Sequence, residues 1–151
     1  MPSLDEVRRE LDKDELDYPA LATQLGPGSL PELHELVTED EPRIASKAAY
    51  LAGLIAGPTS HDVVSLAAGS RHDVVRLAAA ATLPALPVEH ATGIAETLLA
   101  DPDVGVRARA VQSAAKLEQS PLADQVRAMA EDDPEPGLRD LAASLSEDAP
   151  A

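Results

Sequence analysis

The sequence predicts an all-α solenoid, an α-α superhelix of about four helix pairs stacked behind an amino-terminal helical cap. Three observations carry this reading. One phrase recurs: Asp101-Pro102-Asp103-Val104-Gly105-Val106-Arg107 returns as Asp133-Pro134-Glu135-Pro136-Gly137-Leu138-Arg139, a step of 32 residues. Weaker copies stand at 75–79 and 44–48, each 31 residues before the next. A self-match at a fixed step marks a stacked-repeat architecture. Within the best copy, Val106, Ala110, Ala114 and Leu117 recur at helical spacing and give one narrow apolar face. Finally, Cys, Trp and Phe are absent and Tyr18 and Tyr50 are the only aromatic residues, so a core must be built of Leu, Val, Ile and Ala. Alanine is the best helix former, and Ala-rich faces let helices approach closely.

Taken in order, Ser3-Leu4-Asp5-Glu6 reads as a capping box opening a helix to about Leu11. Residues 12–17 are a charged connector, and 18–25 a second short helix stopped by Gly26-Pro27-Gly28. Ser29-Leu30-Pro31-Glu32 reads as another capping box, for a helix to about Val37. Pro42 starts a longer helix to about Ala56, stopped by Gly57-Pro58. Ser60 caps a helix to Ala68, and 71–86 is one long helix bent at Pro84. Residues 88–99 follow, with Gly93 inside. Asp101 is then read as the N-cap of a helix over 102–117. Pro121 opens a helix to Glu131, and Pro134 or Pro136 opens the last, to about Leu145.

This divides the chain into a cap at 1–28, repeats near 29–57, 58–86, 87–118 and 119–145, and a frayed tail at 146–151. Each unit is a shorter outer helix and a longer inner one. Neither can cover its apolar face alone, so the pairs must stack.

The phrase at 101–107, followed by Ala110 and Leu117, resembles the second helix of a HEAT repeat, and its short period resembles the phycobilisome-lyase-like branch of that family. The resemblance covers about residues 29–145. It implies a solenoid whose second helices line a concave surface. It also implies a structural ladder of Asp and Arg between adjacent repeats, matched here by Asp101 with Arg107 and Asp133 with Arg139. Arg76 is the corresponding arginine one repeat earlier, but Ser70 stands in the Asp position, and in the first copy Ala45 replaces the Arg.

The formal charge is −15, from 27 acidic and 12 basic residues. Such a surface repels nucleic acid and anionic membranes, so neither is expected as a partner. No basic stretch followed by an apolar run opens the chain, and no apolar run is long enough to cross a bilayer, so a cytoplasmic protein is expected. Without cysteine there is no disulfide, thiolate chemistry or Cys-ligated metal. HEAT-like di-iron hydroxylases carry His-Glu pairs in several repeats, but of His34-Glu35, His61-Asp62 and His72-Asp73 only one is His-Glu, and they fall at unequal helix positions. His61 and His72 read as solvated first-turn residues, and no metal or cofactor is expected. No nucleophile constellation or Gly-rich phosphate loop stands out, so no catalytic residue is assigned and the chain is expected not to be an enzyme. HEAT-like DNA glycosylases need a basic groove and aromatic residues to hold an extruded base, and both are missing.

One surface stands apart. With Val75, Ala79, Leu83 and Leu86 inward, the opposite stripe of that helix is Ala78, Ala81 and Ala85. The repeat step carries it to Lys47, Tyr50 and Leu54, to Arg109, Gln112 and Lys116, and to Leu141 and Ser144. Two of the three lysines and one of the two tyrosines thus fall on one face. That describes a shallow groove with a dry centre and positive corners. The expected function is a non-catalytic scaffold, monomeric or weakly dimeric, that takes an acidic or amphipathic segment of another protein against Lys47, Tyr50, Arg109, Gln112 and Lys116. The alternative implied by the resemblance is an accessory subunit of a tetrapyrrole- or cofactor-attaching, lyase-type enzyme.

The acidic excess itself fits a salt-rich cytoplasm, where screening removes the repulsion between carboxylates. The urea midpoint is then expected to rise between low and multimolar KCl. Equal midpoints would instead assign the composition to a GC-rich genome.

Overall fold

The computed structural model describes residues 2–55 and 57–147, and every regular element among them is helical. Ten α-helices follow one another: α1 (Leu4–Leu11), α2 (Tyr18–Leu25), α3 (Leu30–Thr38), α4 (Pro42–Leu54), α5 (Ser60–Ala68), α6 (Asp73–Thr82), α7 (Val88–Leu99), α8 (Val104–Leu117), α9 (Ser120–Asp132) and α10 (Pro136–Glu147). The expected tail is helical as far as 147; residues 148–151 lie outside those described.

Local chemistry sets most boundaries. The Ser3 hydroxyl accepts from the Glu6 amide, and the Glu6 carboxylate accepts from the Ser3 amide, each at 3.2 Å, so the first capping box is formed. Asp17 caps α2 through the Ala20 amide, and α2 stops at Gly26, whose φ of +65° favours glycine. The second expected capping box does not form. Ser29 sits in a short 3₁₀ turn, and its hydroxyl donates to the Gly26 carbonyl instead.

Two rows of helices result. The first helices α3, α5, α7 and α9 touch in succession, and so do the second helices α4, α6, α8 and α10. Helix α1 packs on α3 and α4, while α2 packs on α4, so the cap closes the amino end of both rows. The apolar stripes merge into one core running the length of the stack. Val75, Val106 and Leu138 hold the same place in their phrases and are 0%, 1% and 2% exposed, so the repeat step is also a packing step.

The helix expected over 71–86 is shorter than its pattern. Helix α6 ends at Thr82, and a 3₁₀ turn covers Leu83–Ala85. Pro84 has no N–H to give the Ala80 carbonyl four residues back. That buried carbonyl is taken by the next repeat: the Ser113 hydroxyl of α8 donates to it at 2.6 Å. A local helix break is thereby converted into a tie between repeats.

Helices α4 and α6 pack tightly where Gly53 faces Thr82. A Cβ on Gly53 would lie 2.3 Å from the Thr82 Cβ, so the helices must part to admit it. Alanine at an ordinary helical site gains about 1 kcal/mol over glycine, but overpacking a close helix contact costs roughly 1–3 kcal/mol. Gly53→Ala should therefore lower the melting temperature by several degrees in circular dichroism, against its helix propensity.

Candidate partner-binding face and the ladder that holds it

The second helices are aligned by their arginines. Arg76 donates through Nε and Nη2 to both oxygens of Asp101, at 2.8 and 3.2 Å, and through Nη1 to the Ser70 carbonyl at 2.9 Å. Arg107 repeats this with Asp133, at 3.0 and 3.1 Å, and with the Asp101 carbonyl at 2.9 Å. Arg139 holds the Asp133 carbonyl at 2.6 Å. The Asp101 and Asp133 loops therefore each give a carbonyl to their own arginine and a carboxylate to the arginine of the repeat before. The carboxylate partners of Arg76 and Arg107 come from the following repeat, so Asp101 serves Arg107 with its main chain only. Ser70 leaves the Arg76 contacts whole, because only its carbonyl is needed there.

This explains why Asp101 is not the N-cap expected of it. Its carboxylate is occupied by Arg76 and by the Asp103 amide at 2.9 Å. Asp103 caps the helix, accepting from the Val106 amide at 3.0 Å, and α8 starts at Val104 rather than Pro102.

The pairs are largely shielded: the Arg76 and Asp101 side chains are 15% and 5% exposed, and Arg107 and Asp133 are 12% and 4%. Removing one partner from a buried pair strands the other and costs about 3–5 kcal/mol. Burial alone would raise the Asp133 carboxyl. The bidentate bond from Arg107 and the bond from the Glu135 amide outweigh it, and hold the carboxyl below its usual value. A carboxyl depressed in the folded state adds stability above its unfolded pKa of about 4, and that stability is lost as pH falls through the lower folded value. Asp133→Asn lacks this contribution. The variant should be less stable than wild type at neutral pH, and should lose less further stability as pH falls through and below about 4, measured by urea unfolding.

On the face of the second helices, Tyr18 of α2, Ser46, Lys47 and Tyr50 of α4, Val74, Leu77, Ala78 and Ala81 of α6, and Arg109 of α8 line a shallow cavity of about 560 Å³. The two tyrosine rings meet edge to face, with centroids 4.7 Å apart at 68°. Burial raises the Tyr18 phenol above its ordinary value, with Tyr50 adding to the effect. Val74 and Leu77 are 44% and 39% exposed, large apolar side chains left in the open. No aspartate or glutamate lines the cavity, although the chain carries 27 of them.

The structure thus gathers Lys47, Tyr50 and Arg109 of the expected face. Gln112 and Lys116 are exposed along α8 but do not line the cavity; Gln112 accepts from Arg109 at 3.4 Å. Leu54 turns to a separate hollow against Pro19 and Ala22. The lysine read as a free corner is anchored: Lys47 Nζ donates to the Leu11 and Lys13 carbonyls at 2.9 Å each, satisfying the carboxy end of α1. Tyr18, Val74 and Leu77 were not anticipated. Leu77 off the inward stripe of α6 was the signal that could have found them.

The histidines lie elsewhere. His61 of α5 and His90 of α7 stack with centroids 3.6 Å apart, and His72 bonds Asp40 at 2.9 Å. Among the described residues, no three histidine or carboxylate side chains converge as metal ligands, and no helix is long and apolar enough to cross a membrane.

No family model matches the chain, and no curated protein matches it. Among solved structures it is similar to a chain in the complex of CpcE and CpcF of phycocyanin lyase from Nostoc sp. PCC7120. The TM-score is 0.70 at 21% identity, over 84% of this chain and 85% of that one. The likeness is one of fold, and it carries the HEAT-like helical solenoid across most of both chains. It also corrects one expectation: the fold is shared with a chain of a lyase complex, so the reading of this chain as no enzyme is withdrawn.

Proposed function

We propose that the chain is a subunit of a cofactor-attaching, lyase-type assembly, and that it meets its partner protein across the face of the second helices. The carrying observation is the shared solenoid fold with a chain of a phycocyanin lyase complex, over most of both chains. The cavity between Tyr50, Leu77 and Arg109 supports the second half of the reading, as it is an acid-free hollow with Val74 and Leu77 exposed on an acidic surface. An amphipathic segment fits it, with apolar residues on Val74 and Leu77 and a carboxylate on Arg109.

The test compares wild type with Leu77→Asp/Arg109→Glu, both purified from native lysate at native salt, with a bilin or haem then added. Lys47 is left intact because it holds α1. The wild type should co-purify with a defined partner and, with it, develop visible absorbance from the tetrapyrrole. The double variant should keep its helicity and lose the partner at least tenfold. Equal capture by the double variant would remove the cavity from the reading, and absence of any tetrapyrrole effect would remove the lyase-type assembly.

A further inference from the structure

The spacing of the ladder can be traced to both ends of the stack, although side-chain rungs close only at Arg76 and Arg107 and the Glu39 carboxylate is taken by Arg8 of α1. The residues before α2, α4, α6 and α8 are Asp17, Glu41, His72 and Asp103, with Glu135 before α10. The carboxylate position lies two residues earlier and holds Glu15, Glu39, Ser70, Asp101 and Asp133. The guanidinium position lies four residues later and holds Leu21, Ala45, Arg76, Arg107 and Arg139. At the carboxy end, Arg139 keeps its carbonyl contact, but among the described residues no carboxylate lies within ion-pair distance of it. At the amino end, Glu15 is exposed and makes no bond among the described residues. By register it holds the position of Asp101 and Asp133, without the bond to the amide two residues on that each of them makes. One end offers the donor half of a rung and the other the acceptor half.

We infer that copies of this chain stack head to tail, with Arg139 of one copy closing a ladder rung on Glu15 of the next. Two features of the end pairs agree with a second copy as the occupant. Half-buried apolar side chains are present at both, Leu16, Ala22 and Leu25 at one and Met129, Leu141 and Leu145 at the other. Asp14 beside Glu15 adds a second carboxylate where Arg139 arrives, while Asp12 of the same loop is paired with Arg43. Helix α9 carries exposed Arg127 and Glu131 where α7 carries buried Ala95 and Leu99, so the outer row adds little apolar area to the contact. Such a contact uses different surfaces on the two copies, so it propagates rather than stopping at two. The charge of −15 on each copy opposes it at low salt, and screening over about 3 Å at roughly 1 M salt relieves that repulsion more than it weakens a shielded rung. The inference is independent of the tyrosine-lined cavity.

Sedimentation velocity in about 1 M KCl tests it. The average mass of the wild type should climb with concentration above the 15.7 kDa of one copy. Arg139→Glu and Glu15→Arg should each shift the onset to at least tenfold higher concentration with circular dichroism unchanged, and the double charge swap should restore it. A wild type that stays at one copy throughout overturns the inference. So does association of both single variants like wild type, or failure of the folded double swap to recover. Leu77→Asp/Arg109→Glu should associate as wild type does, which separates this result from the fate of the proposed function.

Discussion

Stacking of the last three pairs depends on the loops that precede α8 and α10. Each has a main chain and a carboxylate to offer, and gives them to different repeats. The carbonyl of Asp101 orients Arg107 from within, while its carboxylate takes Arg76 from behind. The geometry is bidentate and shielded, so each rung fixes both the spacing and the rotation of adjacent pairs. A chain without phenylalanine or tryptophan needs such a device. Valine, leucine and alanine faces can be slid past one another at small cost, and directional bonds remove that freedom.

The same economy governs the contact between α4, α6 and α8. Gly53 and Thr82 let two helices approach as no larger side chain would allow, and the proline that ends α6 leaves a carbonyl that Ser113 collects. Small residues and a helix break, each unfavourable locally, become favourable when a neighbour supplies the missing contact. On the opposite face no neighbour does so. Val74 and Leu77 stay open beside the tyrosine pair, and that is why the partner reading rests there.

The helices and the solenoid were readable from the sequence because their causes are local and periodic. Capping at Ser3, the stops at Gly26 and after Leu99, and the burial of Val75, Val106 and Leu138 all follow from short-range pattern. What could not be read was set by residues about one repeat away. Two aspartates flank Pro102, and either could cap; Arg76, 25 positions upstream, decides which is left to do so. Lys47 reads as a solvated corner until α1 folds back to place the Leu11 and Lys13 carbonyls over it. Ser70 reads as a broken rung because the sequence does not say which atom of that residue is used.

The rung also bears on how such a chain changes length. Its two halves lie 25 or 26 positions apart, in neighbouring units. Duplicating or excising the unit at 87–118 leaves Arg76 and every copy of Arg107 facing an aspartate loop, whereas a shift of a few residues inside that unit would misalign two rungs at once. Evolution can therefore lengthen or shorten this molecule in whole periods while the surface of each unit drifts freely.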